Sequence, residues 1–292
     1  MVTQFPESYH FDPNDPRAPT SAQWQRMSAE ERAAVVLQLP AQVPLELMPP
    51  EGDDHRLAKE GTVDALDGFL DRARRKIYLS SDLAVFYPGE PRFSPDVLAV
   101  LDVDPHPRSK WVVEDEGRGL DLVIEIHVAG SRDKDLVFNV ARYARLGIQE
   151  YFVFELTRQR LHGFRLPRGT EGATCALRAY QRIVPQAGRL PSEVLGLDLV
   201  IAGDKLRFWA GDVQLEESPE RIARLGNMLQ ELMAHKEEAE RVAEAERERA
   251  NNEQQRAEAL EVRLAEEQRR REEAEQRLRA LEVELGRRSP KG

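Results

Sequence analysis

The spacing of apolar residues changes twice along this chain, near residues 76 and 219. Pro, Asp and Asn are frequent at the start, where no regular structure is predicted. Short helices can begin at Ser21 or Ser28, and Ser28 followed three residues later by Glu31 forms a capping-box pattern. Between Gly52 and Arg75 apolar residues recur at helical spacing, which predicts one longer helix.

Strand-like patterns follow. The most apolar segment, Leu122–Val128, predicts a central strand that is covered on both faces. Arg132–Leu146 predicts an amphipathic helix that ends before Gly147, and Tyr151–Phe154 predicts the next strand. This strand–helix–strand order predicts a crossover unit with parallel strands. Further strands are predicted at Ile77–Leu79, Leu83–Tyr87, Val97–Leu101, Arg160–Arg165, Tyr180–Ile183, Leu199–Ile201 and Lys205–Trp209. The pattern indicates an α/β or α+β layer with one mixed sheet and helices against it, and the crossover unit favours the α/β class.

The C-terminal segment is different in composition. From about Pro219 it consists mainly of Glu, Arg, Ala and Leu, and a 3-4 repeat runs from Ile222 to Leu285. This predicts a long helix that forms a coiled coil with a second copy or with another protein. The alternative is a solvated single helix held by Glu–Arg pairs four residues apart. Ala and charged residues at the middle core positions provide little buried area, which favours loose pairing.

Composition narrows the classes of protein. The chain has 292 residues, 52 acidic and 42 basic residues, and a formal net charge of −10. That charge argues against broad, non-specific affinity for nucleic acids, although it leaves room for a local basic groove. The single cysteine, Cys175, excludes an internal disulfide and a cysteine-rich zinc site. The N-terminus does not resemble a signal peptide, and no apolar run is long enough to span a membrane. We therefore expect a cytoplasmic protein.

Two acidic residues carry the most specific chemistry. Asp96 follows Pro95 at the start of a predicted strand, and Glu125 lies within the most apolar strand. A buried carboxylate costs several kcal/mol unless it is paired, protonated or bound to a metal. If the two strands are neighbours, the carboxylates can bind Mg²⁺ or Mn²⁺, which can activate water against a phosphodiester. The alternative for Glu125 is a position on a partly exposed sheet face.

Four further residues could complete such a site. His127 points the same way as Glu125 and could ligate metal or deprotonate water; alternatively it makes a local hydrogen bond. Lys134 could stabilise an anionic transition state, or be a surface lysine. His55 and Glu51, at the start of the first long helix, could add metal ligands, although an acidic N-terminal helix cap also explains Glu51. Motifs for nucleotide binding and for serine hydrolases are missing from the sequence.

The segments P-D, E-I-H and Y-A-R-L-G-I-Q-E-Y-F-V-F, with P-P-E-G-D-D-H before them, resemble the Uma-type restriction endonuclease family. That family is placed in the PD-(D/E)XK nuclease superfamily, and the similarity covers roughly Glu46 to Phe208. The resemblance implies a restriction-endonuclease-like sheet flanked by helices. It also implies Mg²⁺-dependent cleavage of DNA, with Asp96 and Glu125 as the metal carboxylates.

This chain departs from the family at the lysine. The superfamily has lysine two residues after the second carboxylate, where His127 stands, and the Uma-type family has it on the helix, where Asn139 stands. Lys134 is the nearby replacement. The main hypothesis is a Mg²⁺-dependent DNA endonuclease, and the alternative is a catalytically impaired interaction module with a nuclease fold. The predicted parts are an N-terminal arm with short helices (1–44), a restriction-endonuclease-like domain (45–217) and a coiled coil (218–288).

Overall fold

The strand predicted at Leu122–Val128 lies in the middle of a mixed β-sheet. The computed structural model describes residues 9–42, 52–73, 75–169 and 178–288, with side chains as far as residue 283. Its helices are α1 (Ser21–Arg26), α2 (Ala29–Gln38), α3 (Asp53–Ala73), α4 (Val113–Glu116), α5 (Asn139–Leu146) and α6 (Ser218–Arg288). Its strands are β1 (Ile77–Ser80), β2 (Val85–Phe86), β3 (Val97–Leu101), β4 (Trp111–Val112), β5 (Leu122–His127), β6 (Glu150–Glu155), β7 (Arg160–Arg165), β8 (Gln181–Arg182), β9 (Leu190–Ser192), β10 (Leu197–Ala202), β11 (Lys205–Ala210) and β12 (Val213–Gln214).

Among the described residues, six strands form the main sheet in the order β1-β3-β5-β6-β7-β8. Only β5 and β6 are parallel there, as the strand–helix–strand pattern predicted, and the other neighbours are antiparallel. A second, antiparallel sheet has the order β12-β11-β10-β9, and β2 pairs with β4 in parallel. The α/β architecture with a mixed sheet and a long C-terminal helix is therefore confirmed. The prediction of one sheet is wrong, because the strands predicted at Leu83–Tyr87, Leu199–Ile201 and Lys205–Trp209 belong to the two smaller sheets.

Both faces of the main sheet are covered by apolar side chains. On one face Ile124 and Phe152 pack with Leu66 of α3 and Phe208 of the second sheet. On the other face Val123 belongs to a cluster rich in aromatic side chains, including Trp111, Tyr143 and Tyr151. All the side chains of β5 except the last are buried, which confirms that this strand is central. The near-continuous apolar pattern of β5 reflects this double burial.

The N-terminal helices begin where their caps predict. The Ser28 hydroxyl accepts from the N–H of Glu31, and the Glu31 carboxylate accepts from the N–H of Ser28. Thr20 and Gln23 make the same reciprocal pair at the start of α1. Two otherwise unpaired backbone N–H groups are satisfied at each helix start in this way.

The helix predicted at Arg132–Leu146 is not uniformly α-helical. A π-helical turn, Lys134–Phe138, lies directly before α5. α5 then ends at Gly147, whose φ of 82° belongs to the left-handed region that favours glycine. Periodicity could not reveal the π turn, because five residues are too few to change an apolar pattern. The wider turn matters because such turns occur often at functional sites.

The chain divides into two compact units, Met1–Arg221 and Ile222–Gly292. The first residues of α6 belong to the first unit, where Ser218 Oγ donates a 2.6 Å hydrogen bond to Asp64 Oδ1 on α3. The described side chains of the second unit are exposed along their whole length. Within the described part of the chain, no helix is both long and apolar enough to cross a membrane.

Candidate active site

Asp96 and Glu125 meet where β3 begins. The antiparallel register pairs Val97 with Ile124, so Asp96 stands opposite Glu125 as the next pair outward. The backbone N–H of Asp96 lies 3.4 Å from Glu125 Oε2. The Glu125 side chain is buried, and Asp96 is nearly so. The structure therefore places both predicted carboxylates on the same face of the sheet, where each carboxyl group affects the ionisation of the other.

Asp96 is held in place by two donors. The N–H of Ile126 donates a 2.7 Å hydrogen bond to Asp96 Oδ2, and His55 Nε2 lies 3.2 Å from the same oxygen. His55 reaches it from the first turn of α3, so the structure joins this predicted residue to the carboxylate pair. Burial opposes ionisation of Asp96, but His55, Ile126 and Glu125 hydrogen-bond it, and the net effect is a lowered pKa.

Glu125 has the opposite electrostatic environment. Burial raises its pKa well above the usual value, and the negative charges of Asp96 and Asp135 raise it further. The Tyr143 hydroxyl donates a 2.7 Å hydrogen bond to Glu125 Oε1. Burial and the neighbouring Glu125 charge also raise the pKa of Tyr143, so it remains a hydroxyl donor. Glu125 therefore holds a proton more readily than an ordinary glutamate.

His127 is oriented by Asp135, an acidic residue that no local sequence pattern pointed to. His127 Nδ1 lies 3.0 Å from Asp135 Oδ2, and Asn139 Nδ2 donates to Asp135 Oδ1 at 3.2 Å. The Tyr151 hydroxyl donates to the backbone carbonyl of Asp135 at 2.9 Å. The π-helical turn carries Asp135, and α5 begins with Asn139. Asn139, which stands at the family's lysine position, therefore makes a contact that fixes the orienting carboxylate.

The other two predicted residues, Lys134 and Glu51, are not part of the cluster formed by Asp96, Glu125, His55 and His127. Lys134 is exposed, and its charge lowers the pKa of Glu125 against the larger effects that raise it. Glu51 lies outside the described residues. In the part of the chain that is described, no group of three or more His, Cys, Asp or Glu side chains is arranged to hold a metal ion. The metal ligation predicted for Asp96, Glu125, Glu51 and His55 remains a prediction.

A second charged cluster lies beside His127. Its neighbour in the parallel register is Glu155, which is 1% exposed. Arg132 donates to both Glu155 oxygens, at 2.7 and 2.9 Å, and His162 Nε2 lies 2.7 Å from Oε1. The hydrogen bond from Arg132 outweighs the cost of burial and, with His162, lowers the pKa of Glu155 to about 2. This network fixes the ends of β5 and β6, where the candidate site lies.

Tyr143 and Asp135 were not predicted as site residues, because their signals in the sequence are indirect. Tyr143 is the tyrosine of the Y-A-R-L-G segment, so it was visible as part of a motif but had no assigned contact. Asp135 and Asn139 are four residues apart, the spacing that brings two side chains together on an α-helix. Their approach to His127 also depends on the crossover connection, which a local pattern does not reveal.

The donor set suits a hard divalent cation. Two carboxylates provide oxygen ligands, and Mg²⁺ in proteins is bound through one or two carboxylates together with water and substrate phosphates. Glu125 is buried between acidic neighbours, so a cation at this position would favour its ionised form. The arrangement also presents an imidazole whose Nδ1 is bonded to Asp135, which leaves Nε2 for proton transfer.

The fold is a mixed-sheet α/β fold in which Asp96 and Glu125 lie on one face of the main sheet, on adjacent strands. The sequence profile of the Uma2 family, described as "Putative restriction endonuclease", matches residues 26–201. That is more than half of the chain, and the chain belongs to this family. A crystal structure from Anabaena variabilis ATCC 29413, described as "a putative nuclease belonging to DUF820", is similar at 13% identity. The match covers 56% of this chain and 89% of that one, with a TM-score of 0.39. No curated protein matches the chain.

Proposed function

We propose that this protein is a Mg²⁺-dependent DNA endonuclease that hydrolyses phosphodiester bonds. The observation that carries the proposal is the position of Asp96 beside the buried Glu125 on one face of the sheet, where the backbone N–H of Asp96 contacts Glu125 Oε2. Membership of a restriction endonuclease family supports the reaction class. Mn²⁺ is expected to substitute for Mg²⁺, because both prefer oxygen ligands.

Asp96 and Glu125 are the residues that would hold the cation. When bound there, Mg²⁺ would polarise a phosphoryl oxygen and lower the pKa of water. The bond from Ile126 N–H and the contact with His55 keep Asp96 oriented, and the Tyr143 hydroxyl does the same for Glu125. These contacts limit the freedom of both carboxylates before any ligand binds, which reduces the reorganisation required for catalysis.

His127 is proposed as the group that takes a proton from the attacking water. Its Nδ1 contacts Asp135, so the ring orientation is fixed and Nε2 is directed to the other side. A positioned general base contributes on the order of 10²–10⁴-fold to a rate. His127 would thus supply the proton transfer at the position where the superfamily has lysine.

DNA is the proposed substrate, and its phosphates require cations near the carboxylates. Arg158 is half exposed and lies near Glu155, where Arg132 is also partly exposed. Lys134 is exposed on the neighbouring π-helical turn. These three cations lie next to the ends of β5 and β6 and are suited to contact the DNA backbone, despite the acidic net charge of the chain.

Plasmid nicking tests this proposal. Supercoiled plasmid should be nicked with Mg²⁺ or Mn²⁺ and left intact with EDTA. Asp96→Asn and Glu125→Gln should each lower the rate at least 100-fold. Asp121→Asn is the matched control: Asp121 is another half-buried acid with a raised pKa, at the opposite end of β5, about 13 Å away along the strand. Nicking that persists in both site variants would remove the two carboxylates from the mechanism.

A non-catalytic interaction module is the second candidate. The observation that favours it is Asn139, which occupies the family's lysine position and is bonded to Asp135. In this alternative the first unit recognises a partner without cleaving it, and α6 joins it to a second copy or to another protein. Calorimetric titration separates the two: failure of Mg²⁺ and Mn²⁺ to bind the wild type, with no nicking, supports the interaction module.

A further inference from the structure

The long helix α6 exposes an apolar stripe along one side. The 3-4 repeat places its residues at the first and fourth positions of successive seven-residue units that begin at Ile222. Each stripe position from Ile222 to Leu281 is exposed in the single chain; Leu260, Leu264, Leu278 and Leu281 are 52–62% exposed. A stripe of this spacing is the surface that helices bury when they wind around each other.

Two charged columns flank the C-terminal half of this stripe. The residue before each first position is arginine in five consecutive units: Arg249, Arg256, Arg263, Arg270 and Arg277. We call these five residues the Arg column. The residue after each fourth position is acidic or an amide in the matching units: Gln254, Glu261, Gln268, Glu275 and Glu282. We call these five the Glu column. The two columns lie on opposite sides of the stripe.

We infer that two copies of this chain pair through α6 in parallel and in register. In a parallel pair, each residue of the Arg column faces the residue of the Glu column that lies five positions later in the other chain. Arg256 then faces Glu261, Arg270 faces Glu275 and Arg277 faces Glu282. The other two arginines face Gln254 and Gln268. None of the ten interchain contacts between the columns joins like charges.

The antiparallel arrangement fits these columns less well. In an antiparallel pair, the flank that carries the Arg column on one helix meets the same flank of the other helix. Each arginine therefore faces a residue of the other chain that directly precedes a first position. With the two Leu-rich ends aligned, those positions are mainly Met228, His235 and Val242, which offer no carboxylate. This arrangement would bring Lys236 close to Glu267 twice, and it would also separate the like charges that a parallel pair brings together inside the stripe. Against these gains, the parallel pair has three arginine–glutamate contacts on each side and no like-charge contact between its columns.

Charged residues inside the stripe limit the strength of the parallel pair. Lys236, Glu246, Glu253, Glu267 and Arg271 would each face their own copy across the axis. Like charges at core positions destabilise pairing, so the flanking columns select the orientation while the Leu-rich ends provide most of the buried area. We therefore expect a reversible, concentration-dependent dimer.

Parallel pairing has a consequence for function. Because the nuclease-family unit precedes α6 in the chain, a parallel pair joins both units to the same end of the paired helices. Two candidate sites would then be available to one DNA molecule. The inference narrows the predicted coiled-coil partner of α6 to a second copy of this chain, and it does not depend on nuclease activity.

Disulfide trapping of the full chain tests the orientation. Cys175 is first replaced by Ser, and Leu281→Cys is introduced at a fourth position, where parallel copies bring residue 281 against itself. Val283→Cys is the matched control, two residues away on the outer side of the helix. In a thiol–disulfide buffer, Leu281→Cys should become mostly covalent dimer, and Val283→Cys should remain mostly unlinked.

Sedimentation tests the pairing itself and the role of charge. The wild type should sediment as a dimer that dissociates on dilution. Arg256→Glu, Arg270→Glu and Arg277→Glu together should weaken dimerisation at least tenfold. Arg224→Glu, Arg241→Glu and Arg269→Glu change the same charge on the outer side and should leave dimerisation within about twofold. A monomer or a trimer at all concentrations overturns the pairing. A dimer in which Leu281→Cys links only to Ile222→Cys of another copy overturns the parallel orientation.

Discussion

The hydroxyl of Tyr143 donates a 2.7 Å hydrogen bond to Oε1 of Glu125, and both side chains are buried. The bond joins α5 to the central strand β5 across the aromatic cluster on one face of the sheet. The tyrosine of the Y-A-R-L-G segment thus has a structural role and a second role at the candidate site. It positions the carboxyl group and supplies a donor close to the negative charges of Asp96 and Asp135.

Tyr143→Phe should impair both stability and activity. The substitution removes one hydrogen bond from a buried carboxyl group, which costs about 1–3 kcal/mol of unfolding free energy. Because Glu125 loses an orienting donor, we also expect the nicking rate at saturating Mg²⁺ to fall by about tenfold or more. Urea unfolding and plasmid nicking measure the two effects separately.

Tyr180→Phe is the control for this variant. The Tyr180 hydroxyl donates a 2.7 Å hydrogen bond to the backbone carbonyl of Ile148, in the same aromatic cluster but with no contact to Glu125. Tyr180→Phe should lose stability to a similar extent and keep its nicking rate. Equal losses of nicking in both variants would mean that Tyr143 acts only through stability.

Much of the main sheet could be predicted because its signals are local. The apolar run of β5 and the glycine after α5 determine the strand–helix–strand unit, and both are visible in a short window of sequence. The second sheet was predicted only in part, since β9 and β12 are strands of three and two residues with weak patterns. The role of Leu199 and Phe208 in covering the main sheet depends on tertiary packing.

The residues of the candidate site could also be predicted only where their signals are local. Asp96 and Glu125 were predicted because carboxylates beside apolar strands are unusual and need compensation. The contact of His55 with Asp96 depends on how α3 lies against the sheet, and the contact of Asp135 with His127 depends on the π-helical turn. Neither follows from spacing along the chain. The family resemblance identified the positions of interest, but not the hydrogen bonds that Asn139 and Tyr143 make.

Glu125→Gln should stabilise the metal-free protein at neutral pH. The folded-state pKa of Glu125 lies above its unfolded value, so folding favours its protonated form. The stability that this group contributes is therefore present in acid and is lost as the pH rises above about 4.5. Glutamine removes this loss, so the difference in Tm between variant and wild type should grow from pH 5 to pH 8 in EDTA. A variant that becomes relatively less stable over that range would contradict the assignment.

The same pair predicts how Mg²⁺ changes stability. A cation that binds only the folded state raises Tm by mass action, and it favours the ionised form of Glu125. Millimolar Mg²⁺ should therefore raise the wild-type Tm at pH 8, with a smaller effect at pH 5. Glu125→Gln should lose this response, while Asp121→Asn should keep it. An equal response in all three proteins would place the cation elsewhere.

Asp135→Asn should lower activity through His127. The amide can still contact the imidazole, but it no longer offers the charged acceptor that fixes the ring and stabilises its protonated form. We expect the nicking rate to fall by about 10–1,000-fold, with little change in Mg²⁺ affinity. Asp133→Asn is the control, because Asp133 is exposed two residues earlier. Equal effects of the two substitutions would show that charge near the helix start matters rather than the contact with His127.

Glu155 should make the folded state sensitive to acid. Its pKa of about 2 lies below the unfolded value of 4.5, mainly because Arg132 donates two hydrogen bonds to the buried carboxylate. The stabilisation is fully present above the unfolded pKa and is lost as the pH falls towards 2, which amounts to about 3 kcal/mol at most. Glu155→Gln should therefore lower the unfolding free energy at pH 7 and flatten its dependence on pH between 5 and 2.

Glu193→Gln is the control for this variant. It removes a carboxylate that is nearly half exposed and also bonded to arginine, and it should change stability by less than about 1 kcal/mol. Urea unfolding of the three proteins at several pH values makes the comparison. If Glu155→Gln and the wild type lose stability in parallel as the pH falls, the acid sensitivity has another source, and the network around Glu155 does not hold the ends of β5 and β6 together.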